Sequence, residues 1–330
     1  MKKFVYLCFF AFLLFMLAAC NGDGDEAAHE VYQPVETEAI EVGGGDRGIY
    51  GMLSRVSHGD NTAYVFGSAH YGVADWFPLS PSVEAAMGRA DVFAFEYDLL
   101  MAESMEAMFV LINYLFLPDG QTLAEFLPED VHQNLVANLD TFDAIDYNEV
   151  FNLNPIVLTQ ELALILIEIA GLERDYSVDY YVLDFAVDND REVVGLRGFE
   201  EEISILFGAP DEVLIAHAAA FPTWDELIDS MDELEELLLI SQLYENNDFD
   251  ALRQLIHAEI DEDDAIAVHN RDLVFAYRST SFAERVAALL QGADEPTTFF
   301  VTVGIGHLVG ADFFPTLEGY GFSIEPLWNQ

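Results

Sequence analysis

Apolar positions along this chain fall into two kinds of run. Short blocks of β-branched and aromatic residues stand near both ends: "TAYVFG" (62–67), "DVFAFEYD" (91–98), "REVVGL" (191–196) and "TTFFVTVG" (297–304). Each is bounded by polar residues or glycine and predicts a strand, and "GFSIEPLW" (321–328) predicts a short edge strand. "SPSVEAAMGRA" (80–90), between the first two blocks, opens with a Ser cap and a first-turn Pro and predicts a helix. Strand, helix and strand at this spacing predict a crossover unit with parallel strands.

The middle of the chain repeats at helical spacing instead. "MAESMEAMFVLINYLF" (101–116) and "PIVLTQELALILIEIAG" (155–171) carry apolar stripes too wide for a surface helix. The second is short for a membrane span and is interrupted by Glu161 and Glu168, so it predicts a buried core helix. "PEDVHQNLVANLD" (128–140) and the amphipathic "TWDELIDSMDELEELLLISQLYEN" (223–246) predict two more helices. Others follow over 249–259 and over 264–291, the last broken. The expected fold class is α/β (α+β). A central mixed sheet, completed by the N- and C-terminal halves, is flanked by helices and carries a helical insertion on one side.

In such sheets ligands bind beyond the carboxyl ends of the strands. Two of the predicted strands end alike there. "VFGSAHYG" (65–72) and "VGIGHLVG" (303–310) each stop at a glycine and place a histidine three residues later, Gly67 to His70 and Gly304 to His307. A third strand ends on Glu96. Glycine at a strand end permits a sharp turn or a close backbone approach. Two histidines and a carboxylate at neighbouring strand ends can bind a divalent cation and leave a position open for water. Such a cation lowers the pKa of that water, and a carboxylate can orient or deprotonate it. On spacing alone, a histidine at a strand end is more often a hydrogen-bonded structural residue.

Composition narrows the partners. Sixty acidic residues face twelve basic ones, a net charge of −48. The two lysines, Lys2 and Lys3, stand at the start of the chain, and the acids are spread along its whole length. This surface repels phosphate backbones and anionic lipid, which excludes nucleic acid as a partner. It suits a salty or alkaline exterior. Lys2 and Lys3 precede an apolar run from Phe4 to Ala19, and "LAAC" closes it at Cys20. The layout is that of a secretory signal. The small residues before Cys20 resemble the lipobox of bacterial lipoproteins, which implies cleavage before Cys20 and lipidation of its thiol. The expected organisation is a signal over 1–19, Cys20 with an acidic tether over 20–46, and one domain over 47–330. It implies a protein lipid-anchored to the cell membrane and facing away from the cytoplasm. With Cys8 lost in the signal and Cys20 acylated, the domain has no disulfide and no thiol nucleophile, and any metal takes His and carboxylate ligands.

"GSAHYG", "FAFEYD" and "GIGHLVG" before "FPTLEGYGFSIEPL" together resemble the TraB/GumN family, which includes the TIKI metalloproteases. "YSVDYYVLDFAVDNDREVVGL" is similar to the family's stretch before its third strand. The resemblance covers roughly residues 47–328. It implies a fold similar to erythromycin-esterase-like and ChaN-like proteins. It also implies a metal-dependent hydrolase with His70, His307 and Glu96 as the site, Glu96 serving as ligand or as base. In the TIKI members the metal is manganese- or cobalt-like and the substrate a polypeptide; zinc and small-molecule substrates stay open here. The family's Leu-Glu-Thr after the third strand reads "LRGFEEE", with Arg197 in the Glu position and Glu200 and Glu202 after it. Its Arg-Asn on the penultimate helix reads His269-Asn270, with Arg271 next. Both ends of a possible Glu–Arg pair are thus changed, which points to a different substrate or a lower activity. Ser68 and these positions are the candidate surroundings of the site, and Trp76 a candidate wall of a substrate groove. His29, His58, His132, His217 and His257 read as tether, turn and helix residues. The competing readings are a non-catalytic ligand- or haem-binding lipoprotein, and an interaction protein that has lost its chemistry.

Overall fold

A computed structural model describes residue 49 and residues 51–328, apart from positions 103, 143, 144, 230 and 311. The expected signal, Cys20 and the expected tether lie outside the described residues. Six strands form one sheet: β1 (Leu53–His58), β2 (Asn61–Ser68), β3 (Val92–Tyr97), β4 (Glu192–Arg197), β5 (Thr298–Gly304) and β6 (Ser323–Pro326), in the order β4-β3-β5-β2-β1-β6. The sheet is mixed. β2, β3, β4 and β5 are parallel neighbours, while β1 is antiparallel to both β2 and β6. Helices flank it, as the α/β reading expects.

Two strand details differ from the sequence reading. β1 was not anticipated. After buried Leu53, its exposed Arg55 and half-exposed Ser57 alternate with buried Ser54 and Val56, the pattern of a half-covered antiparallel strand. β2 and β3 are parallel but not adjacent, because β5, some 200 residues later, lies between them. β5 pairs Ser68 with Gly304 on one side and Phe95 with Thr302 on the other. The register therefore brings the carboxyl ends of β2, β3 and β5 level with one another.

The core beneath the sheet is built from side chains such as Phe66, Phe93, Phe95 and Phe300, each almost fully buried. The helical middle has a separate apolar cluster, with Leu123, Leu135, Leu139, Leu158, Leu162 and Phe221 at its centre. Pro155–Ile169 runs between the two, and ten of its fifteen residues are buried. Asn154 caps its first turn by accepting the Ile156 N–H at 2.9 Å. Met105–Leu115 departs from expectation. It lies at the surface and exposes Met105, Phe109 and Ile112, while Ala107, Leu111 and Leu115 face inward. Among the described residues no helix is long and apolar enough to cross a membrane.

The segment expected to break over 264–291 is unbroken. Ala265–His269 passes into a π-helical stretch, Asn270–Tyr277, and on into Arg278–Gly292, with helical backbone at both joints. A π-turn adds a residue to the helical period and is found preferentially at functional sites. Here the two residues that follow it, Arg278 and Ser279, are buried.

Candidate functional site

The three level strand ends carry the candidate residues. His70 follows β2 by two residues, Glu96 is the penultimate residue of β3, and His307 lies in the five-residue helix Ile305–Val309 after β5. A Cβ added to Gly304 would lie 3.3 Å from Glu96 Oε1 and 3.7 Å from both His70 Nε2 and His307 Cδ2. The side chains thus converge over a bare glycine whose own N–H donates to Glu96 Oε1 at 2.7 Å. Gly67 serves closeness as well: a Cβ there would stand 2.6 Å from Ile305 Cδ1. The repeated glycine allows the two turns to pack against each other and against the carboxylate. Neither Gly67 nor Gly304 has a left-handed backbone.

Each histidine is held by its other ring nitrogen. His70 Nδ1–H donates to Asp179 Oδ2 at 2.8 Å, and Asp179 lies on the buried face of Val178–Asp188. His307 Nδ1 lies 2.9 Å from Ser279 Oγ. Both Nε2 atoms are left toward Glu96, whose Oε1 is 3.7 Å from that of His307. His257 supports the second turn by donating from Nε2 to the Gly306 carbonyl at 2.9 Å. None of Asp179, Ser279 and His257 was singled out in the sequence. For Asp179 a usable signal was present, since it is a carboxylate at an early, inward-facing position of a helix.

A second, ionic layer lies behind Glu96. Arg278 pairs with Glu96 Oε2 and with Glu202, both buried. Arg197, the last residue of β4, approaches Glu202 at 3.3 Å and Glu201 at 3.0 Å and lies under the rings of Tyr277 and Phe282. The departures around the site thus sort themselves. Glu202 is part of this network, whereas Glu200 is exposed on the same helix. Arg197 sits among Glu201 and Glu202, while His269 senses Asp272 and His217. Asn270 is buried, and Arg271 is a surface residue paired with Glu262 and Asp272. Ser68 is fully buried beside Asp179.

The charges set one another's protonation. Burial works to raise the Glu96 pKa, but Arg278, His307, His70 and the Gly304 N–H together hold it below its ordinary value. Burial, then the charge of Arg278, lowers His307 to about 3, so it is a neutral imidazole with Nε2 available. Burial also opposes a charged His70, yet Asp179 outweighs it and raises that pKa. For Glu202 burial prevails and its pKa is raised, against the pull of Arg278.

Among the described residues no group of three His, Cys, Asp or Glu side chains stands ready to hold a metal ion. The donors fit one in kind. Two imidazoles anchored through Nδ1 present Nε2, and one of those anchors is a carboxylate, the usual outer partner of a metal-bound histidine. Arg278 engages Glu96 Oε2, which leaves Oε1 as the carboxylate's contribution.

One expected result follows for the His70–Asp179 pair. Asp179→Asn removes a buried charge-assisted hydrogen bond and should cost about 1.5–3 kcal/mol in metal-free protein near pH 6. His70 is raised above its ordinary value of 6.5, so its share of this stability is present below that value and is lost as pH rises through the folded pKa. Asp179 is lowered, so its share is lost only as pH falls through the acid range. Urea unfolding of both proteins at several pH values checks this: their difference should shrink from pH 6 to pH 9, and a difference that grows would contradict the pairing.

A family model described as "TraB/PrgY/gumN family" matches residues 52–326. Two relatives, each called "Uncharacterized protein YbaP", come from Shigella flexneri and Escherichia coli (strain K12). Each is 23% identical over 263 residues, covering 78% of this chain and 88% of the relative. No solved structure matches.

Proposed function

The chain belongs to the TraB/PrgY/gumN family, and from that premise we propose that it is a metal-dependent hydrolase of polypeptides, anchored to the outer face of a membrane by lipid on Cys20. The observation that carries the hydrolase reading is the convergence of His70 Nε2, His307 and Glu96 Oε1 over Gly304, with both histidines tied through Nδ1. His70, His307 and Glu96 would hold a divalent cation, manganese- or cobalt-like with zinc as a further option. When bound, that ion would polarise a scissile carbonyl and acidify a water molecule.

The protein's own residues do the rest. Asp179 and Ser279 fix the ring orientations, so little reorganisation remains when substrate arrives. Glu96 is kept ionised by Arg278 and the Gly304 N–H, so Oε1 can receive a proton from an attacking water or serve as an oxygen donor. Arg278 itself is held by Glu202, which keeps its charge beside Glu96, while His70 faces the opening.

The test is metal content of the purified full-length protein by mass spectrometry, beside cleavage of a mixed peptide library with added manganese, cobalt or zinc. Near-stoichiometric metal and metal-dependent cleavage are expected, and protein that neither holds nor responds to any of the three would defeat the reading. A second reading, a ligand- or haem-binding lipoprotein without catalysis, draws on the apolar cleft that His70 enters. A Soret band on haem addition, without peptide cleavage, would favour it. For the anchor, Cys20→Ser should leave either an unlipidated precursor or a protein released from the membrane. An acyl chain contributes about 0.8 kcal/mol for each buried methylene, and unchanged fractionation and mass would refute lipidation there.

A further inference from the structure

The geometry points to a specificity pocket beside His70 that receives an uncharged apolar side chain, aromatic or branched, of the substrate. This rests on the hydrolase reading and extends it. A cleft of about 580 Å³, its open mouth included, begins at Ser68, Ala69 and His70 and runs away from the polar cluster. Its walls come from four separate parts of the chain: Trp76 after β2, Ile167 near the end of Pro155–Ile169 with Leu172 just beyond it, Leu237 and Tyr244 on Met231–Glu245, and Ile305 after β5.

Three observations make this a built site rather than a packing gap. The rings of Trp76 and Tyr244 lie 5.3 Å apart, and both are almost wholly buried, so the back wall is rigid. The Tyr244 hydroxyl donates to the Gly67 carbonyl at 2.8 Å, which ties that wall to the turn presenting His70. His70 is also the accessible member of the catalytic group. Its side chain is 14% exposed, against 8% for Glu96 and 3% for His307. A substrate therefore reaches the cluster past His70, which is where the cleft opens.

Chemistry decides the occupant. In a chain with sixty acidic residues, no carboxylate, lysine or arginine among the described residues lines this cleft, and His70 is the one ionisable group among them besides the tyrosines. A charged group carried past His70 into the apolar walls would lose its hydration and meet no charged partner there, whereas an apolar one loses contact with water at no polar cost. Differences of one or a few methylenes in such a pocket are worth about tenfold or more in discrimination.

The experiment uses the full-length protein, freed of metal with a chelator so that binding is read without turnover. Calorimetry follows acetylated, amidated pentapeptides Gly-Gly-X-Gly-Gly with X as Phe, Ala or Asp. The Phe peptide should bind at least tenfold more tightly than the Ala peptide, and the Asp peptide most weakly. Ser241, half-buried on the cleft wall, offers a filling variant: Ser241→Trp should bring Phe affinity down to that of Ala, and Ser241→Ala should leave it unchanged. Should Ser241→Trp fail to fold, Ile240→Trp fills the cleft from the next residue. Equal affinity for the three peptides, or Phe binding indifferent to filling, would overturn the pocket. Binding with the predicted preference but no cleavage with any metal upholds the pocket and defeats the hydrolase reading. Cleavage that ignores X does the reverse.

Discussion

His70→Ala or His307→Ala is expected to abolish metal retention and metal-dependent cleavage, with the double variant no worse than either single one. Groups acting as one unit give strongly non-additive losses, on the order of a thousandfold or more for the first removal and little for the second. The two positions differ in what else they support. His307 is buried between Phe275 and Phe282 and bonded to Ser279, so His307→Ala also opens a cavity costing about 2–4 kcal/mol. His70 is partly open, and its removal leaves Asp179 without its partner. Glu96→Gln separates ligand from base. If Glu96 acts as base, metal stays and cleavage goes; if it is a ligand, metal affinity falls with activity. The readouts are metal content, cleavage rate and melting temperature for each protein. Histidine variants that unfold earlier yet match the wild type in metal content would show these residues to be structural.

Arg278→Met should be the most damaging substitution for stability. It leaves Glu96 and Glu202 buried without the guanidinium that both contact, and removal of one partner from a buried ion pair costs about 3–5 kcal/mol. The sign of the pH dependence identifies the cause. In the wild type Arg278 helps hold Glu96 below its ordinary pKa, so this stability is present above the unfolded value of 4.5 and is lost as pH falls through the folded one. In the variant both carboxylates can take up protons at higher pH. The gap between the two proteins should therefore narrow from pH 7 to pH 4.5. Urea midpoints at the two pH values decide it, and a gap of constant size would assign the loss to packing instead.

The strand ends were legible because their signals are local. Gly67 and His70, Glu96, and Gly304 and His307 sit on runs whose β-branched and aromatic content marks a strand whatever surrounds it. Asp179, Ser279 and Arg278 were not, because what makes them matter is a partner more than twenty residues away and a helix register that the π-turn resets. No periodicity argument finds an eight-residue π-helical stretch inside "HNRDLVFAYRS". β1 escaped for another reason. Its inward residues include the small polar Ser54, which alternation weighs as surface. The order of strands lay beyond reach as well. "TAYVFG" and "DVFAFEYD" do run parallel, but nothing in them says that a third strand must come between.

That intervening strand governs when the molecule can become whole. β5 is the only neighbour joining β2 to β3, and it starts at Thr298. Until that residue leaves the ribosome, β2 and β3 have no common partner, and the loop closed by the β2–β5 pair spans more than two hundred residues. Pairing across so long a separation is slow, because closure entropy precedes any reward from contact. A chain stopped short of Thr298 would carry the first Gly-x-x-His turn and the glutamate on two unjoined sheet edges, open to other chains. The helical insertion, whose own apolar cluster involves only residues 117–227, can gather earlier. Assembly is thus ordered in time: the flank first, the sheet late, and the meeting of His70, Glu96 and His307 only with the final strand but one.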